Sequence, residues 1–188
     1  GDPVLDHVST HLLASNEICR AAATDFLITR QGGTTRQHSL PPLSGDASCL
    51  ARSLARDLAR AAASRDPGVP IWSVTGGETT VLLGVGGGKG GRAQEMVLAF
   101  ANEMHSMRDA APAQWLALVC GTDGRDGPTD AAGAMINAAD AFDAELAKAA
   151  LAAHDVYTYL SGAGQLVKIT PTGTNLGDIA IFLAKGEA

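Results

Sequence analysis

The chain alternates short apolar runs with longer segments of helical periodicity, and this alternation limits the fold more than any other feature of the sequence. Helices are predicted at 16–23, 47–65, 92–107 and 143–153, and strands at 26–29, 71–74, 79–85, 115–120, 166–170 and 179–183. Strands that alternate with helices predict an α/β fold. We expect a layered sheet of mixed, partly parallel strands with flanking helices.

A stretch rich in glycine, proline and serine, RQGGTTRQHSLPPLSGD at 30–46, predicts a loop or hinge and is the best candidate for a domain boundary. The sequence begins at Gly1 without a methionine. We therefore expect that it is a piece of a longer protein.

The charge balance and the cysteines narrow the class of protein. The 188 residues include 20 acidic and 14 basic residues, a net charge of −6, and contain no basic stripe, which argues against a nucleic-acid partner. No apolar run approaches the ~20 residues that cross a membrane, and no leader peptide is evident. Cys19, Cys49 and Cys120 are far apart and are expected to be free thiols in a reducing compartment. These features predict a cytoplasmic protein.

Polar loops follow three predicted strands: TGGETT at 75–80, GTDGRDGPTD at 121–130 and PTGTN at 171–175. In open α/β sheets, ligands bind beyond the carboxyl ends of the strands, where loops converge on a rigid support. If the three strands run in the same direction, their loops share one edge and form one ligand site.

The segment GVGGGKGGRAQE, residues 84–95, leads from a glycine-rich turn into a helix. Its backbone amides and the positive end of the helix dipole suit a phosphate or carboxylate, and Lys89 and Arg92 add full charges. The P-loop pattern fails because Gly90 follows the lysine, and the match to G-x-G-x-x-G is weak in so glycine-rich a segment. A plain strand-to-helix turn is the alternative.

Three carboxylates, Asp123, Asp126 and Asp130, lie in the loop that follows the strand at 115–120. Two carboxylates about 4 Å apart repel by roughly 4 kcal/mol at an effective dielectric constant of 20, so either they separate or a cation joins them. Their spacing does not match an EF-hand and better fits Mg²⁺ shared with substrate phosphates. The alternative is structural, with aspartates in side-chain turns or helix caps.

Two further features are less specific. Thr172, Thr174 and Asn175 offer short polar side chains for a phosphate or a substrate hydroxyl, although Pro-Thr-Gly is also common in turns. His154, together with Tyr157 and Tyr159, is interpreted as part of a half-buried helix.

Four motifs occur in the order found in the C-terminal domain of glycerate 2-kinases: GGETTV at 76–81, GGRAQE at 90–95, GTDGRDGPTDAAGA at 121–134 and PTGTN at 171–175. The sequence resembles this domain, called MOFRL, whose family was formerly labelled hydroxypyruvate reductase. ASNEICRAAA at 14–23 resembles the end of the N-terminal domain of the same enzymes. The resemblance implies a remnant of that domain plus a hinge at 1–45, and a MOFRL-like α/β domain at 46–188.

The resemblance also implies transfer of the γ-phosphoryl group of ATP to D-glycerate, giving 2-phosphoglycerate, with Mg²⁺ at a cleft between two domains. The expected catalytic residues are Arg92, Asp123 and Asp126, and the three aspartates are the expected magnesium ligands. The expected substrate- or phosphate-binding residues are Glu78, Thr79, Lys89, Gln94, Glu95, Asp130, Thr172, Thr174 and Asn175.

The sequence departs from the family pattern at a few positions. Ala93 and His154 stand where the family usually has asparagine, and Ile169-Thr170 stands where a glycine is common. Most of the family's N-terminal domain is outside these residues, so the chain alone is expected to be inactive. Two alternatives stay open, an NAD(P)H-dependent hydroxypyruvate reductase and a non-catalytic ligand-binding module.

Overall fold

The computed structural model describes residues 7–9, 11–30, 35–64, 68–84 and 87–187. The helices in these ranges are α1 (Asn16–Arg30), α2 (Ala47–Ser64), α3 (Arg92–Ser106), α4 (Ala144–Ala152) and α5 (Val156–Gly162), with a single 3₁₀ turn at Arg108–Ala110. The strands are β1 (Arg36–Gln37), β2 (Ile71–Gly77), β3 (Gln114–Gly121), β4 (Gly133–Asn137), β5 (Leu166–Val167) and β6 (Asp178–Lys185).

Side-chain caps explain where two of the helices begin. Asp46 precedes α2, and its Oδ1 accepts a hydrogen bond from the backbone N–H of Cys49 at 2.8 Å. Asp143 precedes α4 and accepts from the N–H groups of Glu145 and Leu146. Such carboxylates satisfy amides that have no partner within the helix.

The strands form one six-stranded sheet in the order β1-β2-β6-β3-β4-β5. β1 pairs with β2 in parallel, and the other neighbouring pairs are antiparallel. Because one antiparallel strand separates β2 from β3 and another separates β3 from β5, these three strands run in the same direction. Their carboxyl ends therefore lie at one edge of the sheet, together with the first residue of β6. The predicted mixed α/β sheet is confirmed.

The hydrophobic core lies between one face of the sheet and the helices α2 and α3. Burial alternates along β3 and β6, as expected for strands with one fully covered face. Phe100 of α3 stacks on Phe182 of β6 with ring centroids 4.8 Å apart, and Trp115 of β3 lies 6.0 Å from Phe100. Burying each of these aromatic side chains contributes roughly 1.5–3 kcal/mol, which holds α3 firmly against the sheet.

Helix α1 lies on the other side of the sheet, near the edge where β2 and β3 end and β6 begins. A Cβ atom added to Gly76 of β2 would collide with the side chains of Asn16 and Arg20. Asn16 Nδ2 donates to the carbonyl oxygens of Leu176 and Asp178, at 2.8 and 3.0 Å. The predicted domain division at residue 45 stays a prediction; α1 and β1, which precede it, both contact β2.

Two predicted strands are wrong. Residues 26–29 continue helix α1, where Phe26 and Ile28 are exposed, because the helical hydrogen bonds of this segment outweigh its local strand propensity. In the predicted strand 79–85, Val85 lies outside the described residues. The first residues of this segment turn towards residues 43–46, where the N–H of Thr80 donates to the carbonyl of Gly45. Residues 81–84 belong to no strand.

Other boundaries also differ from prediction. α1 extends well beyond residue 23, and β5 ends at Val167 instead of residue 170. The prediction missed β1, which has two residues, and β4, whose sequence GAMIN has little strand character. Gly133 of β4 is required because a Cβ atom there would collide with the carbonyl oxygen of Val119 on β3.

No helix in the described part of the chain is both long enough and apolar enough to cross a membrane. The three cysteines are free thiols. Burial raises the pKa of Cys120 to about 11, so this thiol is a packed, unreactive group at neutral pH.

Candidate active site

The loops that follow β3 and β5 interlock at one edge of the sheet, which we call the rim. Thr122 Oγ1 donates to the carbonyl of Gly177 at 2.8 Å and accepts from the N–H of Leu176 at 2.8 Å. Thr172 Oγ1 donates to the carbonyl of Thr122 at 2.6 Å. These threonine hydroxyls therefore hold the 121–130 and 171–177 loops against each other.

Arg92, the first residue of α3, forms ion pairs with two carboxylates at the rim. Its Nε and Nη2 donate to Oδ2 and Oδ1 of Asp178, at 2.7 and 3.2 Å, and its Nη1 donates to Glu78 Oε1. The hydrogen bond to Asp178 raises the pKa of Arg92 above its ordinary value. Burial raises the pKa of Asp178, an effect that Arg92 opposes. Arg92 is thus a fixed cation at the carboxyl end of β2.

Asp126 caps α3 from a distance in sequence. Its Oδ1 accepts from the N–H of Ala93 at 3.1 Å, and its Oδ2 accepts from the N–H of Gln94 at 2.8 Å. These are the amides that a capping side chain normally satisfies at a helix start. Asp126 is only 4% exposed, and burial raises its pKa to about 6 although both amide hydrogen bonds oppose the rise. Its main contact is therefore with the helix.

Glu95 lies below the rim and joins two other elements. It is 3% exposed, and its Oε1 accepts a hydrogen bond from Ser48 Oγ of α2 at 2.9 Å. Its Oε2 lies 2.9 Å from Nδ1 of His154, which sits in the turn between α4 and α5. The buried carboxylate thus positions an imidazole ring.

A cavity of about 500 Å³ opens where these groups meet. Its charged and polar lining includes Glu78, Arg92, Glu95, Asp123, Arg125, Asp126, His154 and Asn175. The start of α3 and the neighbouring glycines form one wall, so the positive end of the helix dipole adds to the charge of Arg92. This combination suits a small anionic ligand.

The structure brings together about half of the predicted site residues. Glu78, Arg92, Glu95, Asp123, Asp126 and Asn175 line the cavity. Thr79 and Gln94 are buried and do not line it, and the Gln94 amide nitrogen donates to Thr129 Oγ1 at 2.9 Å. Thr172 and Thr174 are exposed and hydrogen bond to each other within their own loop.

Lys89 and Asp130 do not line the cavity, and their side chains contact other residues. Lys89 Nζ lies 3.9 Å from the ring centroid of Tyr157, a cation–π contact. Asp130 accepts from Lys168 Nζ at 2.7 Å and from the Tyr157 hydroxyl at 2.6 Å. Hydrogen bonding to Lys168 lowers the pKa of Asp130 to about 2.

The three aspartates therefore do not converge. Asp126 caps α3, Asp130 pairs with Lys168, and Asp123 lines the cavity while its Oδ1 accepts from the N–H of Arg125 at 2.9 Å. Across the described ranges, no group of three or more histidine, cysteine or acidic side chains is arranged to hold a metal ion.

Sequence reasoning missed Asp178, Arg125 and His154 as residues of the site. Asp178 lies three residues after the PTGTN motif and is the first residue of β6, which begins at the rim. Its place between that motif and the predicted strand 179–183 was the available signal. His154 was interpreted as part of a half-buried helix, whereas it occupies a turn with φ of 52° and lines the cavity.

Known proteins resemble the chain in sequence and in structure. A glycerate 2-kinase of Pyrococcus horikoshii is 32% identical over 191 residues, which cover 97% of this chain and 41% of that protein. An Agrobacterium vitis protein with the provisional name of a hydroxypyruvate reductase is 37% identical over 182 residues, covering 90% of this chain and 40% of that protein.

The crystal structure of a glycerate kinase from Thermotoga maritima superposes with a TM-score of 0.76 at 28% identity, covering 95% of this chain and 42% of that one. The chain thus spans about two fifths of the length of the curated relatives it matches. The sequence model of the MOFRL family matches residues 71–178, and the chain belongs to the MOFRL family.

Proposed function

We propose that this chain is the C-terminal portion of an ATP-dependent glycerate kinase that phosphorylates D-glycerate to 2-phosphoglycerate. The observation that carries the proposal is Arg92, fixed at the start of α3 by Asp178 and Glu78 and facing a cavity of about 500 Å³. Relatives named glycerate 2-kinase and glycerate kinase support the reaction class.

Arg92 retains the capacity to bind an anion. A guanidinium group has five N–H donors, and the described contacts with Asp178 and Glu78 use three of them. The other two donors suit oxygens of a transferring phosphoryl group or of the glycerate carboxylate. Fixed donors of this kind stabilise charge that develops in a transition state without reorganisation of the site. Phosphoryl transfer depends mainly on such positioning and neutralisation.

Mg²⁺ and ATP belong to the same proposal. Mg²⁺ commonly binds one or two carboxylates together with substrate phosphates and water. Among the three aspartates, Asp123 lines the cavity and neither caps a helix nor pairs with a cation among the described contacts, so it fits this role better than Asp126 or Asp130. When bound, the ion would neutralise charge on the phosphates. The donor set supports an ion held largely by the nucleotide.

The rest of the site belongs to a part of the enzyme outside this chain. We propose that the N-terminal domain of the same protein closes over the rim, and that residues 1–45 form its remnant and the hinge. The chain spans 41% of the P. horikoshii relative, so more than half of the length of that protein has no counterpart in this chain. The free thiols support a cytoplasmic location.

An assay of the full-length protein separates this proposal from its rivals. We expect ATP-dependent formation of 2-phosphoglycerate from D-glycerate, with no consumption of NADH when hydroxypyruvate is supplied. NADH oxidation without ATP would replace the kinase by a reductase. If neither reaction occurs but calorimetry detects glycerate or nucleotide, the ligand-binding module would be the correct interpretation.

A further inference from the structure

His154 lies in the turn between α4 and α5, and it lines the cavity. We infer that His154 is a catalytic residue that accepts the proton of the attacking glycerate hydroxyl, and that Glu95 is the positioning residue that orients it. This inference rests on the proposed kinase function. It assigns the proton transfer to a pair of side chains that belong to this chain.

Glu95 determines which ring nitrogen carries the hydrogen. An ionised carboxylate only accepts hydrogen bonds, so the 2.9 Å contact between its Oε2 and Nδ1 requires Nδ1 to be the donor. Neutral imidazole then presents an unprotonated Nε2 on the far side of the ring. The other oxygen of Glu95 is held by Ser48, so the carboxylate cannot rotate freely. The arrangement matches a base whose tautomer is fixed by a buried acid.

The backbone around His154 is also fixed. The residue has φ of 52°, a left-handed conformation that few residues other than glycine adopt, although histidine is among those enriched there. The carbonyl of the preceding Ala153 accepts from the N–H of Gly88 at 2.8 Å, and the N–H of Asp155 donates to Ala150. The backbone of His154 is thus held close to the glycine-rich turn before α3, where a Cβ atom added to Gly90 would lie 3.5 Å from the His154 carbonyl oxygen.

The surrounding charges suit a base that becomes a cation. Glu95 and Arg92 reach the cavity from α3, Asp123, Arg125 and Asp126 from the 121–130 loop, and Glu78 from the end of β2. Asp155, the next residue, accepts hydrogen bonds from the N–H of Lys89 and from Thr158 Oγ1. Glu95 stabilises the imidazolium that forms.

The step is a phosphoryl transfer from a nucleoside triphosphate. The hydroxyl proton of glycerate moves to Nε2, and the hydroxyl oxygen forms a bond to the γ-phosphorus. The bond from the γ-phosphorus to its bridging oxygen breaks, and its electron pair leaves with the nucleoside diphosphate. The imidazolium then releases the proton to water, which restores the neutral ring.

A second histidine–carboxylate pair provides a matched control. His38 Nε2 lies 2.9 Å from Asp57 Oδ2, and the side chains of His38 and His154 are similarly exposed, at 26% and 25%. His38 follows β1, and the structure does not include it in the cavity lining. A purely structural pair predicts that His38→Asn and His154→Asn behave alike.

The test is steady-state kinetics of the full-length protein over a range of pH. Asparagine retains an N–H donor for Glu95 but has no basic nitrogen. We expect His154→Asn to lower kcat about 100-fold or more, the usual contribution of a general base. KM for glycerate should change less than about twofold, as for a group that acts only in the transition state. The acidic limb of the pH profile of kcat/KM should flatten.

His38→Asn should leave kcat and the pH profile unchanged. If His154→Asn retains its activity and its acidic limb, or lowers kcat with an unchanged limb, the proton-transfer role is wrong while the kinase function stands. If the wild-type protein phosphorylates no glycerate, the proposed function fails and this inference fails with it.

NMR spectroscopy can determine the tautomer of the His154 ring independently of enzyme turnover. A long-range ¹H–¹⁵N correlation spectrum of the full-length protein above neutral pH should show His154 with hydrogen on Nδ1 and none on Nε2. Hydrogen on Nε2 would overturn the inference. Circular dichroism and thermal melting of His154→Asn check that a loss of activity does not reflect unfolding.

Discussion

Arg92 Nε and Asp178 Oδ2 lie 2.7 Å apart, so the first residue of α3 is bound to the first residue of β6. The ion pair connects the positive end of a helix to the edge of the sheet where the rim loops end. Asp178 is buried, and Arg92 is partly exposed to the cavity. The pair therefore has both a structural and an electrostatic role.

Arg92→Ala in the full-length protein should lower the turnover of glycerate by at least ~100-fold, because in the proposed reaction the fixed cation would stabilise charge on the transferring phosphoryl group. Arg92→Lys should recover only part of that loss, since lysine cannot reproduce the planar fork. Arg60, which pairs with Asp57 on the exposed side of α2, is the control. Arg60→Ala should stay within about twofold of wild type, whereas normal turnover of Arg92→Ala would remove Arg92 from the site.

Asp178→Asn should reduce turnover through Arg92. The substitution keeps the size of the side chain but removes the charge that orients the guanidinium, and hydrogen bonds to charged groups contribute about 1.5–3 kcal/mol. We expect a similar loss in the free energy of unfolding, measured by urea denaturation, together with at least about a tenfold loss of kcat. Asp109 is an exposed aspartate in the 3₁₀ turn before β3, and Asp109→Asn should change neither quantity.

The pKa of Asp126 predicts a pH-dependent stability. Burial raises this pKa from an ordinary value of 3.8 to about 6, so the folded chain binds the proton more tightly than the unfolded chain. The contribution of this group is thus greatest at low pH and falls as the pH rises from 4 to 6, by up to about 3 kcal/mol. In Asp126→Asn this change should disappear, which urea denaturation at several pH values would detect. A constant difference in stability between the two proteins across that range would contradict the assignment.

Gly91 precedes α3 at the point where Asp126 approaches the helix. A Cβ atom there would collide with the Asp126 carboxyl group, so Gly91→Ala should displace the cap and lower the free energy of unfolding by about 1–3 kcal/mol. Gly162, at the end of α5, has open space around its Cα. Gly162→Ala should be neutral or stabilising by up to about 1 kcal/mol. Equal effects of the two substitutions would show that the collision is absent.

The sequence was sufficient to predict the shared rim. The strands at Ile71, Gln114 and Leu166 run in the same direction, as the loop argument required, although antiparallel strands separate them. Each of these strands is a short apolar run followed by a loop that contains glycine, and both features can be recognised within a few residues of sequence. The positions of β6 and β4 between them depend on pairings distant in sequence, which no local pattern specifies.

The individual roles of the acidic residues were harder to predict. Asp126 lies 33 positions from Ala93, whose amide it caps, and Asp178 lies 86 positions from Arg92. Only the fold brings these partners together. The alternative of a side-chain turn was available for Asp123, and its hydrogen bond to the N–H of Arg125 has that form.

Strand β6 follows every other described element along the chain, yet it fills the middle of the sheet, where Asp178 pairs with both Gly77 and Gly121. During synthesis, β2 and β3 leave the ribosome before β6, the strand that lies between them in the folded sheet. The backbone N–H and C=O groups along the facing edges of β2 and β3 lack their native partner until β6 has been translated, and unpaired strand edges are prone to aggregation. Slow translation before β6 would therefore lengthen the interval in which the nascent chain needs protection by chaperones.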